Sequence, residues 1–208
     1  VLAYMHGGRW SYGYKEYAAF MAPPLNAAGI ILASIGHRLV PSVDFNGGFA
    51  DVNAGVGWVR DNVGRYGGDP DQLFVAGHSS GGHYAAMYAL KVGGVRGAAP
   101  ISGVYDLSPT GYPQGDPPPC IPAGSDGAAE SPIYNIGATP PPFLVTWGSD
   151  DYDFLIPQAR NFADALEKAG GDVTRLECAG KTHFSVSHEG AAAGGAWMST
   201  LMDWMARL

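Results

Sequence analysis

Leu73-Phe74-Val75-Ala76-Gly77-His78-Ser79-Ser80-Gly81-Gly82-His83 is the stretch on which the reading of this chain turns. The apolar run Leu73–Ala76 predicts a buried strand, and a helical pattern, Ser80–Lys91, starts directly after the turn. Between them stands G-x-S-x-G in a strand–turn–helix setting. So tight a turn forces its central residue into a strained backbone, and the flanking glycines leave room for the neighbouring strand and helix. The serine oxygen then projects at the carboxyl edge of the sheet, above the amino end of a helix. Only Ser79 has glycines at both −2 and +2, so the register is fixed. The bare pattern also arises by chance in a glycine-rich chain, where Ser79 or Ser80 would be no more than a helix N-cap. The flanking strand and helix favour a nucleophile.

Working outward, short apolar runs alternate with longer helical patterns, the signature of βαβ units on a parallel sheet. The other predicted strands are Leu2–Met5, Ile30–Ile35, Gly97–Ile101, Phe143–Trp147 and Val173–Glu177; the other predicted helices are Lys15–Ala22, Gly48–Asn62, Pro157–Ala169 and Gly190–Arg207. The helix from Pro157 has proline in its first turn and Gly170-Gly171 just past its end. The fold class is α/β: a three-layer α/β/α sandwich on a mostly parallel sheet of about six strands, with ligands expected at the strands' carboxyl ends. One stretch breaks the rhythm. Val104–Thr139 has no clean period and carries Pro109, Pro113, Pro117–Pro119, Pro122 and Pro132. It is predicted to be an excursion over the site within one domain spanning residues 1–208.

Composition sets the outer limits. With 208 residues, 46% hydrophobic and only 15% charged, the chain is neither disordered nor collagenous. Lys and Arg number 12 against 19 Asp and Glu, a net charge of −7, so there is no basic stripe for nucleic acid. No apolar run approaches the roughly 20 residues of a membrane span. Val1 is not a start methionine and opens the apolar segment Val1–Met5 with no lead-in to the predicted strand, so a longer native protein is expected, and a cytoplasmic location is the default expectation. Cys120 and Cys178 are expected to be unpaired thiols.

A serine hydroxyl is a poor nucleophile unless a base takes its proton, and on this topology the partners follow in the order serine, acid, histidine. Only His183 and His188 lie past the last strand, and the short loop Ala179–Thr182 brings His183 to the edge that carries Ser79. His183 is the expected general base and His188 the alternative, while His37 and His83 read as surface or packing residues and His78 as the variable position of the turn. The acid is expected after Phe143–Trp147, where Asp150, Asp151 and Asp153 all stand; the two not used would cap the turn or the next helix. Asp106 is a weaker candidate whose ordinary role is to stabilise a turn. An oxyanion needs fixed N–H donors; Ser80 follows the nucleophile, and Gly7 and Gly8 follow the first strand without side chains to obstruct a carbonyl. Trp10, Tyr105, Trp147 and Phe184 are candidate substrate-binding residues, with Tyr12 and Tyr14 nearby; core packing is the alternative for them. No phosphate-cradling loop, dinucleotide fingerprint or zinc spacing is present, so no cofactor and no metal are expected.

Taken together, His6-Gly7-Gly8 with Trp10, Tyr66-Gly67-Gly68-Asp69-Pro70, Gly77–His83, Ser102-Gly103-Val104-Tyr105-Asp106-Leu107, Gly148–Asp151 and Thr182-His183-Phe184-Ser185-Val186 resemble the α/β-hydrolase fold along essentially the whole chain. Within it they are similar to the carboxylesterases related to hormone-sensitive lipase, and more so to the kynurenine formamidase (arylformamidase) branch. In that family the acid stands three residues past a glycine and seven before a glutamine, which the resemblance places at Asp151, between Gly148 and Gln158. It thereby implies a Ser79–Asp151–His183 triad with Gly7, Gly8 and Ser80 as oxyanion donors. It also implies hydrolysis of small-molecule carboxylic esters, with N-formyl aromatic amides such as N-formylkynurenine as the alternative. A rival of another class is an inactive, hydrolase-like binding protein. Three features depart from the family: His37 precedes Arg38 where relatives have tyrosine, Ser80 replaces a frequent alanine, and two strands before the first are missing. Their absence would leave Ile30–Ile35 as a sheet edge.

Overall fold

The computed structural model describes residues 1–113 and 118–208; Pro117 of the proline-rich segment lies outside the described residues. Among the described residues six strands form one sheet: β1 (Leu2–Met5), β2 (Leu32–Ile35), β3 (Phe74–His78), β4 (Gly97–Ile101), β5 (Phe143–Asp150) and β6 (Val173–Thr182). Their order is β2-β1-β3-β4-β5-β6, and every pair is parallel. The helices are α1 (Ala22–Ala27), α2 (Phe45–Asn62), α3 (Ser80–Lys91), α4 (Leu155–Lys168) and α5 (Ala196–Ala206).

Side-chain alternation along the strands builds two cores. Ala3, Met5, Val75, Ala98, Phe143 and Val145 face one side and pack with Val52 and Val56 of α2, Tyr84 and Tyr88 of α3, and Phe162 and Leu166 of α4. Leu2, Tyr4, Phe74, Ala76, Ala99, Ile101 and Leu144 face the other, against Leu25 of α1 and Trp197, Leu201 and Trp204 of α5. This is the three-layer architecture that the sequence predicts. The two cysteines are unpaired and lie one in each core, Cys120 in the first and Cys178 in the second. Among the described residues no helix is long and apolar enough to cross a membrane.

Several boundaries differ from those predicted, each for a local reason. The segment predicted as Lys15–Ala22 is a 3-10 turn over Lys15–Met21 followed by α1, because Pro23 and Pro24 sit in the first turn of a helix, where proline starts rather than stops it. The strand predicted from Ile30 begins at Leu32, since the Ile30 N–H still closes the end of α1 on the Leu25 carbonyl, 2.9 Å. β2 is an edge of the sheet, as expected. Strands β5 and β6 run past their predicted ends to Asp150 and Thr182. The segment predicted as Gly190–Arg207 is a 3-10 turn, Ser187–Gly190, and then α5, which starts after Gly194-Gly195. The termination of α4 is as predicted: Gly170 has φ +82°, and the Gly171 N–H returns to the Leu166 carbonyl at 2.9 Å.

The segment after β4 is irregular but not loosely held. Ser131 accepts the Leu107 N–H at 2.7 Å and donates to the Gly127 carbonyl at 2.7 Å. Gln158 of α4 is buried and uses its whole amide on this loop. Oε1 accepts the N–H groups of Tyr105 (2.7 Å) and Asp106 (2.9 Å), and Nε2 donates to the carbonyls of Asp106 (2.9 Å) and Gly111 (2.7 Å). Removing one partner of a buried bond strands the other. Gln158→Met, which keeps the volume, is therefore expected to lower the unfolding free energy by about 3 kcal/mol or more. Urea denaturation checks this, and a loss under about 1 kcal/mol would mean the loop is held by other contacts.

Candidate active site

Sheet register brings the candidate residues to one edge. Met5 pairs with Gly77 and His78 pairs with Ile101, so the chain two residues beyond β1, and one beyond β3 and β4, carries Gly7, Ser79 and Ser102 side by side. Asp150 pairs with Thr182, past an irregularity after Gly148, so Asp151 and His183 emerge together.

The turn at Ser79 is as tight as its glycines imply. A Cβ on Gly81 would lie 2.1 Å from the Met5 carbonyl oxygen, and one on Gly77 would lie 2.4 Å from the Gly81 backbone. Ser79 itself has φ +56° and ψ −121°, a backbone that costs a non-glycine residue about 1–3 kcal/mol and has to be held by its surroundings. Its N–H donates to the Ile101 carbonyl at 2.9 Å, and its carbonyl accepts the His83 N–H at 3.0 Å. The hydroxyl is left facing His183.

His183 Nε2 is 3.0 Å from Ser79 Oγ, and His183 Nδ1 is 2.8 Å from Asp151 Oδ1. A carboxylate only accepts, so Nδ1 carries the proton and Nε2 offers its lone pair to the serine. Asp151 is buried and fully engaged: Oδ1 also accepts the Tyr152 N–H at 2.7 Å, and Oδ2 accepts the Ser102 hydroxyl. Burial by itself pushes this carboxyl up, but the bonds from His183 and Ser102, the His183 charge and the Tyr152 N–H outweigh it and hold it below the usual carboxylate range. His183 is also pinned from behind. His78 Nε2 donates to the His183 carbonyl at 2.7 Å, and burial, followed by the nearby His183, keeps the His78 ring neutral down to about pH 3.

Gly7 and Gly8 sit against this turn. A Cβ on Gly7 would be 3.2 Å from Ser79 Cβ, and Gly8 has φ +128°, with the Tyr12 carbonyl where a side chain would stand. His6 Nδ1 donates to the Gly7 carbonyl at 2.8 Å, so in a planar trans peptide the Gly8 N–H points the opposite way. The Gly8 carbonyl is held in turn by the N–H groups of Ser11 (3.0 Å) and Tyr12 (2.9 Å). Ser80 is the first residue of α3, where a backbone N–H has no partner within the helix.

Ser79 opens into a cleft of about 670 Å³ walled by aromatic rings. Tyr12, Tyr17, Phe20 and Phe184 contribute to the wall, and Tyr112, Tyr152 and Phe154 are supplied by the proline-rich segment and the β5–α4 loop. Of the four predicted substrate-binding residues, Trp10 and Phe184 line the cleft; Tyr105 and Trp147 do not. Tyr105 is drawn away by Gln158 and stacks on Phe162 at 4.3 Å, within the core. Trp147 points into the same core as Val145, with Nε1 donating to Glu177 at 3.1 Å. His188 lines the cleft without joining the triad contacts. Asp106 stabilises a turn, accepting the Ser108 N–H at 2.9 Å. Asp150 and Asp153 are exposed, and neither caps α4, whose N-cap residue Phe154 has no side-chain cap. His37 is stacked on His6 at 4.4 Å, and His83 is buried rather than superficial.

Ser102 is the site residue that sequence reasoning did not single out for a role, although a signal existed. It directly follows a predicted strand, the neighbour in the sheet of the one that leads into Ser79, and it sits at φ +46° with its hydroxyl on Asp151.

Several known proteins are similar to this chain. The family BD-FAE matches residues 1–97, the part that carries the Gly7-Gly8 loop and the Ser79 turn. The probable isoprenylcysteine alpha-carbonyl methylesterase ICME of Oryza sativa subsp. japonica is 27% identical over 94% of this chain and 54% of its own. Esterase LipQ of Mycobacterium tuberculosis is 31% identical over 82% of this chain and 46% of its own. Kynurenine formamidase of Salmo salar is 32% identical over 52% of this chain and 38% of its own. The chain thus spans about half the length, or less, of these curated relatives. Among solved structures, a truncated carbohydrate esterase from gut microbiota has the same fold, with a TM-score of 0.82 at 21% identity over 99% of this chain and 84% of that one.

The Asp151 contacts carry a pH signature. A carboxyl held low in the folded state adds stability above the unfolded carboxylate range, near pH 4, and loses it as pH falls through the folded value. Asp151→Asn is therefore expected to be less stable than the parent by a constant margin from about pH 5 upward, and the margin is expected to shrink below about pH 4. Urea melts from pH 3 to 8 test it; a margin unchanged at pH 3 would refute the assignment.

Proposed function

We propose that this chain, which has the α/β-hydrolase fold and resembles the carboxylesterases related to hormone-sensitive lipase, is a serine hydrolase that cleaves small acyl or aryl carboxylic esters. The reading rests on one unbroken line of contacts: Ser102 to Asp151, Asp151 to His183 at 2.8 Å, and His183 to Ser79 at 3.0 Å, ending at an aromatic cleft.

Ser79 Oγ attacks the ester carbonyl while His183 Nε2 takes its proton. The carbonyl oxygen becomes an anion that accepts N–H bonds from Gly8 and Ser80, with Gly7 alongside; one such donor is typically worth about 3 kcal/mol of transition-state stabilisation. Asp151, kept ionised by its own three donors, stabilises the imidazolium, which then protonates the departing alcohol. The acyl group remains on Ser79. Water, deprotonated by His183, attacks the acyl-enzyme and releases the acid, and the proton returns to Ser79.

A second reading draws on the likeness to kynurenine formamidase: the same triad acting on an N-formyl aromatic amide, the arene against the cleft wall. The two readings differ in substrate and share every catalytic group.

Incubation with a fluorophosphonate, followed by peptide mass spectrometry, is expected to place the adduct on Ser79. Ser79→Ala should abolish both the adduct and p-nitrophenyl ester turnover, by about 10⁵-fold or more, with the fold retained. Asp151→Asn should cost about 10⁴-fold, while Asp150→Asn and Asp153→Asn stay close to the parent rate. Turnover of N-formylkynurenine but not of esters would select the second reading. A folded protein with neither adduct nor turnover would leave the binding-protein alternative.

A further inference from the structure

The loop after β1 carries Gly7 and Gly8 and then passes through Arg9 and Trp10, which have φ +53° and +59°. Residues with a Cβ avoid that region, so two in succession keep their conformation only where neighbours fix them. Trp10 supplies the anchor. Its carbonyl accepts the Val40 N–H at 2.9 Å, and its indole Nε1 donates to His83 Nδ1 at 3.0 Å.

His83 stands one turn into α3, fully buried, and reaches three parts of the site at once. Its backbone N–H holds the Ser79 carbonyl (3.0 Å), Nδ1 accepts from Trp10, and Nε2 donates to the Glu130 carbonyl in the proline-rich segment (2.7 Å). An indole N–H only donates and a carbonyl only accepts, so the ring has one possible tautomer, protonated on Nε2. Burial holds its pKa at about 4, so the ring stays a neutral acceptor at ordinary pH. Edge-on contact with Trp10, ring centroids 5.2 Å apart, completes the fit.

We propose that His83 is a positioning residue: through Trp10 it sets the Gly7-Gly8 loop at its working distance from Ser79, and through Glu130 it ties that distance to the proline-rich segment. This inference rests on the serine hydrolase reading. His83 does not line the cleft, so it acts without touching substrate. Its loss should weaken transition-state stabilisation while leaving the strength of the His183 base unchanged. A histidine that merely fills the core would show no such division.

The test compares the parent chain with Trp10→Phe, which removes the N–H and keeps a ring, His83→Gln, which keeps an acceptor and a donor, and His83→Phe, which keeps neither. It reads kcat and KM on a p-nitrophenyl ester, the pH profile of kcat/KM, and inhibition by a trifluoromethyl ketone, whose adduct with serine places an oxyanion in the same site. Trp10→Phe is expected to lower kcat about tenfold, a fraction of the loss on deleting a whole donor, with KM nearly unchanged. The ketone should bind weaker by a similar factor, and the acid limb of the profile should not move. His83→Gln should recover most of the rate, and His83→Phe combined with Trp10→Phe should be no slower than His83→Phe alone. Should His83→Phe fail to fold, Trp10→Phe and His83→Gln still decide the matter. Parent values of kcat and of ketone affinity in Trp10→Phe, or a change confined to KM or to the acid limb, would overturn the proposal. A parent chain without turnover or Ser79 adduct would instead overturn the hydrolase reading itself.

Discussion

Everything at this site depends on how closely two backbones approach at the end of β3. The Met5 carbonyl occupies the space that a side chain on Gly81 would fill, and the Gly81 backbone occupies the space beside Gly77. That approach seats the amino end of α3 directly against the first strand, so Ser79, the first N–H groups of the helix and the Gly7-Gly8 loop share one small volume. A methyl group at either glycine would force them apart. The strain at Ser79 is a consequence of the same packing: the chain reverses from strand to helix within one residue, and the serine takes the left-handed backbone that the reversal requires.

Parallel pairing does the remaining assembly. Strands that run the same way deliver all their carboxyl ends to one edge, so residues far apart in sequence meet without any long-range design beyond register. Two irregularities tune the result. The break in the β5–β6 ladder after Gly148 carries Asp151 back toward His183, and Gly148 is required there because the Lys181 carbonyl lies 2.0 Å from where its Cβ would stand. The left-handed Ser102 turns its hydroxyl onto the same carboxylate.

The sequence made these features legible to different degrees. Periodicity and glycine spacing are local properties, so the strands, the Ser79 turn and the Gly7-Gly8 loop could be read directly. Asp151 could not be chosen from the residues alone, since Asp150 and Asp153 have the same chemistry; burial against Ser102 and Tyr152 separates them, and burial is tertiary. Tyr105 and Trp147 were misplaced for a related reason. Both lie near the correct edge, but Gln158 draws the Tyr105 backbone toward α4, and the alternation of β5 turns Trp147 to the core. His83 reads from sequence only as a surface or packing residue, because nothing in a sequence shows what a helical side chain touches across the fold.

Histidines crowd the site, and their charge states determine whether it can work. His6, His37, His78 and His83 are all shifted by burial toward the neutral form, His78 to about 3 and His83 to about 4. On the serine hydrolase reading, a cationic ring among them would oppose a positive charge on His183, and His78, with its ring centroid 4.7 Å away, most of all. Asp151 is buried beneath His183, and among the described residues no aspartate or glutamate lines the cleft. Asp151 thus stands under His183 among rings that burial holds neutral, so on the serine hydrolase reading the electrostatic response falls on the His183–Asp151 pair. The hydrophobic core and the proposed chemistry are therefore not separate features of this fold: the packing that keeps water from His78 and His83 also sets the surroundings in which His183 meets Ser79 and Asp151.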